Sequence, residues 1–259
     1  MENLFKNNGL ALLILIGVPG VFAWLLTLVN RQTKANLVNH YGINSQVYCG
    51  FLGIIIHELS HLIVALIFRH GIHSVRLLKL PRLHQVDDSD EAMALGYVNH
   101  TWNRHSLYQV IGNLFIGVAP IFGCTAALLG LDRLLAPGLF RAVFLIADTP
   151  EQPQWTASLH ALTTTPVSWW QALLLLFLTL TIVIGGFDLS PADYQNSAIG
   201  LYSTVGLIIV ITSILTLIGI TGWLHQLVTW GLLVAMILSY SLLLSLIVMA
   251  VTRLLSNRA

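Results

Sequence analysis

The sequence predicts an all-α polytopic membrane protein with about six transmembrane helices and one short β-hairpin after the second. Three observations carry this expectation: 56% of the residues are hydrophobic, 9% are charged, and the mean hydropathy is +0.80. A soluble domain carries about 25% charged residues, so the expected surroundings are a lipid bilayer. The formal net charge of +1 offers nothing for nucleic acid to bind.

A crossing helix needs about 20 apolar residues. Six stretches meet that need, at 10–29, 48–68, 107–131, 169–187, 199–220 and 232–254. The first is too long for the apolar region of a signal peptide and no A-x-A site follows it, so it reads as a retained anchor. After the second, 74–80 and 93–99 read as two strands, separated by Pro81 and the acidic residues Asp87, Asp88, Asp90 and Glu91. The third carries Gln109, Gly112, Asn113, Gly117 and Pro120, and its small residues allow another helix to come close. The connection 132–168, with four prolines, is too short for a separate domain and suits a surface helix over 134–146. The last two spans hold few polar residues and suit scaffolding or the gating of substrate entry. Cys49 and Cys124 lack ligand spacing and read as packing residues. His40, His70, His73, His84, His160 and His225 also lack it and read as surface or interfacial.

Loop charges set the expected orientation. With the N-terminus cytoplasmic, Lys6, Arg69, Arg76, Lys79, Arg82, Arg104, Arg253 and Arg258 lie inside, and Arg31, Lys34, Arg133 and Arg141 outside. This favours a multi-pass protein of the cytoplasmic (inner) membrane with both termini and the hairpin cytoplasmic. The expected organisation is 1–47 as an N-terminal helix and loop, 48–200 as a core, and 201–259 as C-terminal helices.

The chemistry concentrates in His57-Glu58-Leu59-Ser60-His61, inside the second span. This is the HExxH pattern. Positions i and i+4 share a helix face, so His57 and His61 can grip one Zn2+, and Glu58 can reach a water on it as acid/base catalyst. Ionisable groups in hydrocarbon cost about 2.5–3.5 kcal/mol each, so they usually persist for function. A catalytic zinc wants a third protein ligand. Glu91 and Glu151 lie in loops, whereas Asp188 and Asp193 follow the fourth span on the side expected for the HExxH pair. Ser190-Pro191-Ala192-Asp193 is also a helix start, with Ser at the N-cap and an acid at N3. Such a cap fixes a carboxylate in place, which favours Asp193, with Asp188 as the alternative. For substrate binding the candidates are Gly96 and Tyr97 of the second strand, whose edge suits an extended segment, and Asn113, which could bond a substrate carbonyl or merely a neighbouring helix.

The HExxH in an early span, the hairpin, the Gly/Asn-containing next span and a later aspartate together resemble the site-2 protease family of intramembrane metalloproteases. The resemblance covers about 48–200 and is to a divergent bacterial branch without a PDZ domain. It implies His57, His61 and Asp193 or Asp188 as zinc ligands and Glu58 as catalyst. Two departures stand out: no LDG motif is present, Phe187-Asp188-Leu189 being a partial match, and no PDZ-like insertion fits in 132–168. The expected function is a zinc-dependent intramembrane endopeptidase that cleaves transmembrane segments of membrane-protein substrates, with the bilayer and that substrate as partners. The alternative is a non-proteolytic membrane protein on the same residues, either a metal-ion transporter or an inactive helix-binding relative.

Overall fold

A polar stretch that looks like a loop continues the first helix. The computed structural model describes residues 2–80, 94–147, 152–220 and 222–256. In it α1 (Glu2–Leu12) passes through a π-helical turn, Leu13–Gly17, into α2 (Val18–Tyr41). The helix runs on beyond residue 29 because its polar groups have partners: Gln32 bonds Asn36 one turn on, and Asn30 and Lys34 reach across to residues 183–188. A three-residue turn leads into α3 (Ser45–Ile67), which carries the HExxH sequence. Arg69, at φ 57°, then turns the chain into the hairpin of β1 (Gly71–Arg76) and β2 (Tyr97–Thr101).

The helices that follow are α4 (Leu107–Leu135), α5 (Pro137–Ala147), α6 (Trp155–Thr164), α7 (Trp169–Gly186), α8 (Pro191–Leu217) and α9 (Trp223–Ser256). Among the described residues, six helices are long and apolar enough to cross a membrane: Asn3–Tyr41, Ser45–Ile67, Leu107–Leu135, Trp169–Gly186, Pro191–Leu217 and Trp223–Ser256. Their outward side chains, among them Trp24, Ile63, Phe177 and Leu217, are exposed, as a lipid-facing surface would be. The all-α polytopic architecture is therefore as expected. The core forms where α2, α4, α7 and α9 converge, around Leu26, Ile121, Leu128, Val183, Phe187 and Leu238.

The hairpin is antiparallel, pairing Gly71 with Thr101 and Arg76 with Tyr97, with an irregularity between Ile72 and Ser74. Its first strand starts three residues before the predicted position 74. The expected start of the second strand at Met93, with Pro81, His84, Asp87, Asp88, Asp90, Glu91 and Glu151, lies outside the described residues. The surface helix expected at 134–146 is α5, whereas α6 was not anticipated. Ser158 of α6 is buried and donates to Ala142 O at 3.1 Å, tying the two short helices together.

Helix directions differ from the expected serpentine. α4 starts where α3 ends, Tyr108 Oη donating to Ile67 O at 2.7 Å. Gly117 of α4 faces Asp193 and Ser197 of α8, and Gly200 faces Val110 and Leu114, so α8 runs antiparallel to α4 and hence along α3. α7 is antiparallel to α2, since Thr27 meets Phe187 and Leu189 while Asn30 meets Val183. The beginning of α1 meets the end of α8 through Asn7–Thr216 and Asn8–Ser213. Thus α7 and α8 travel the same way, joined by the non-helical residues Phe187–Ser190. α9 lies parallel to α1–α2, with Gly231 beside Ile14 and Thr252 beside Asn36. Glu2 and Ser256 therefore sit at opposite ends of the bundle, because the 187–190 link breaks a helix path without reversing it.

Candidate metal centre

α3 and α7 come close enough for main chain to touch side chain. A Cβ added at Gly53 would stand 2.6 Å from Gly186 N and 2.7 Å from Thr181 O, so only glycine permits this approach. One turn further along α3, His57 Nδ1 lies 2.9 Å from Gly186 O. His61 Nδ1 lies 2.7 Å from Ile116 O of α4. A carbonyl can only accept, so in both rings Nδ1 carries a proton, and in the neutral ring that leaves Nε2 as the atom able to ligate a metal. Those two Nε2 atoms are 3.1 Å apart. At that distance either a proton on one ring or a metal ion between the two joins them.

The third member comes from α8. Ser190 and Asp193 form a reciprocal cap, with Ser190 N donating to Asp193 Oδ2 at 2.7 Å and Asp193 N donating to Ser190 Oγ at 3.2 Å. So held, the carboxylate places Oδ1 3.0 Å from His61 Nε2 and Oδ2 3.7 Å from His57 Nε2. One ligand atom from each of His57, His61 and Asp193 lies within 4.8 Å of the other two. All three residues and Glu58 are 6–7% exposed. Two imidazole nitrogens and a carboxylate, each oriented by a second hydrogen bond, form a donor set fit for a divalent transition metal. Asp188 is not in this group. It faces α2, 3.0 Å from Arg31 Nε and 3.1 Å from Lys34 Nζ.

Glu58 faces the hairpin. A Cβ on Gly96 would meet Glu58 Cγ at 2.6 Å and Oε1 at 2.9 Å, so the residue before β2 lies directly against the carboxylate. Tyr97 follows it, paired with Arg76. Asn113 is fully buried one turn before Ile116. Its Nδ2 leans on the carbonyls of Val110 and Gln109 at 3.3 and 3.4 Å, and its Oδ1 has no partner among the described residues.

Sequence reasoning missed two features. Arg31 and Lys34, read as extramembrane loop charges, bond the link that leads to Asp193; the signal was the polar set Thr27, Asn30, Arg31 and Lys34 at three- and four-residue spacing. His70, read as surface or interfacial, is 4% exposed. Its Nδ1 lies 3.0 Å from His100 Nδ1 and its Nε2 2.9 Å from Gln109 O, and Trp102 packs against both rings. Burial lowers the pKa of His70, and burial with the nearby His70 and His61 pushes His100 down to about 4. Both imidazoles are therefore neutral at pH 7, and together they dock the hairpin on the end of α3.

No family model, no curated protein and no solved structure matches this chain.

Proposed function

We propose that this chain is a zinc-dependent intramembrane endopeptidase of the inner membrane, with its hairpin toward the cytoplasm. Its substrate is a transmembrane segment of another membrane protein. One observation carries the reading: two imidazoles tethered through Nδ1 turn their Nε2 atoms toward a capped carboxylate inside an apolar helix bundle. His57, His61 and Asp193 would hold the zinc. The ion would supply Lewis acidity, bringing a water's pKa to about 7. Glu58, next to His57 on the same helix, accepts the proton of the attacking water and returns it to the leaving amine. Asn113, whose Oδ1 has no partner among the described residues, would accept from a substrate N–H once the bundle opens to admit one.

The burial of these residues excludes bulk water and strengthens every polar contact made there. A substrate helix hides its own peptide groups, so it must unwind locally before attack. Model substrates with Gly or Pro near the cleavage point are expected to react faster.

The test is Glu58→Gln in purified protein with a reconstituted transmembrane substrate. Zinc content stays at the wild-type level and cleavage is lost. Full cleavage by Glu58→Gln overturns the mechanism. Zinc uptake into proteoliposomes that survives Glu58→Gln would assign the same residues to transport instead.

A further inference from the structure

Phe187–Ser190 is non-helical backbone surrounded by helices long and apolar enough to span a membrane. Such a break is tolerated in a bilayer only where protein satisfies the freed backbone groups. One helix does most of this here. Thr27 Oγ1 donates to Phe187 O and accepts from Leu189 N, both at 3.4 Å. Arg31 Nη2 donates to Leu189 O at 2.9 Å, and Asn30 Nδ2 donates to Val183 O at the end of α7. Asp188 is clamped from two sides, by Arg31 and Lys34. The next backbone N–H, of Ser190, is taken by Asp193 itself.

We infer, resting on the metal site proposed above, that α2 is the positioning element for the third ligand and that Arg31, Lys34 and Asp188 form a latch holding the α7–α8 break in register. The contacts run in sequence from α2 to the break, from the break to the Ser190 cap, and from the cap to the Asp193 carboxylate. Among the described residues these are the ion pairs that hold the link, the Asp193 carboxylate taking its last N–H. Asp188 keeps 21% of its side-chain surface and Lys34 13%, so the pair is shielded enough to hold a fixed geometry. Asp188 is thus a positioning residue rather than a ligand. The first helix, whose sequence suggests only an anchor, becomes part of the working core.

The experiment uses the full-length protein in detergent, as wild type, Arg31→Ala, Asp188→Ala, the double variant, Asp188→Glu and Asp193→Ala. Hydrogen exchange of the 187–197 segment is measured after chelation, and zinc affinity by chelator competition. Each latch variant is expected to speed exchange in that segment while leaving α3 protected, and to weaken zinc binding about 10–100-fold, the range for loss of a partner that orients a ligand. The double variant is expected to add little, because both residues serve one unit. Asp188→Glu is expected to recover most of both readouts. Asp193→Ala loses zinc while Asp188 stays clamped. Wild-type exchange in Arg31→Ala and Asp188→Ala overturns the latch, and faster exchange with unchanged zinc affinity overturns its positioning role. A wild type that binds no zinc removes the metal reading, and the latch then stands or falls on exchange alone.

Discussion

Gly53→Ala puts one methyl group into the contact that aims His57. The nearest atoms, Ile182 O, Gly186 N and Thr181 O, are all main chain, so no side chain can swing aside. At 2.6 Å from Gly186 N, and closer still to Ile182 O, against an ordinary contact of 3.4 Å, α3 and α7 must part by at least about 0.8 Å. Overpacking of this kind costs about 1–3 kcal/mol of stability. The same movement stretches the bond between His57 Nδ1 and Gly186 O, now 2.9 Å. A metal site holds its ligand distances within about 0.2 Å, so the separation is several times what the site tolerates. Losing the orienting carbonyl alone is worth about 10–100-fold in affinity. The assay is chelator competition for zinc with a parallel thermal melt, using Gly206→Ala as control, where an added Cβ meets nothing within 4 Å. Wild-type affinity and melting temperature in Gly53→Ala would refute the reasoning.

Two further outcomes are expected. Gly96→Ala places a methyl group on Glu58 Cγ and Arg76 O, so it displaces the hairpin while sparing the metal ligands; cleavage should fall with zinc content unchanged, and equal activity would show that the segment does not press on Glu58. His100 has its pKa lowered to about 4 in the fold against an ordinary 6.5, so it holds a proton less well folded than unfolded. Its contribution is complete above pH 6.5 and is lost as the pH falls from there toward 4. The melting temperature of the wild type should drop more steeply over that window than that of His100→Gln, and parallel curves would contradict the assignment.

Much of this was legible in the sequence because hydrophobic length and the i, i+4 rule are local. The apolar runs locate the six long helices, HExxH puts two imidazoles on one face, and Ser190-Pro191-Ala192-Asp193 marks a cap that favours Asp193 over Asp188 by its fixed position. What was not legible depends on partners distant in sequence. Asn30 to Tyr41 looks like a polar loop until residues 183–189 supply acceptors for it. Hydropathy treats 169–187 and 199–220 as two opposed crossings, because it has no means of seeing that the 187–190 link keeps its direction. His70 and His100, 30 residues apart, meet only once the hairpin folds back on α3. The G-x-x-G at Gly50 and Gly53 and the pair Gly185-Gly186 were visible signs of a close helix crossing, with no sign in either of which helix the other would meet.

The most direct measurement is the metal content of detergent-purified protein by mass spectrometry, wild type beside His61→Ala from the same preparation. About one zinc per wild-type chain and none in the variant is the expected result for a three-ligand site. A wild type free of zinc after supplementation, or a His61→Ala variant that retains it, would leave His57, His61 and Asp193 as a buried hydrogen-bonded cluster and contradict the metal centre.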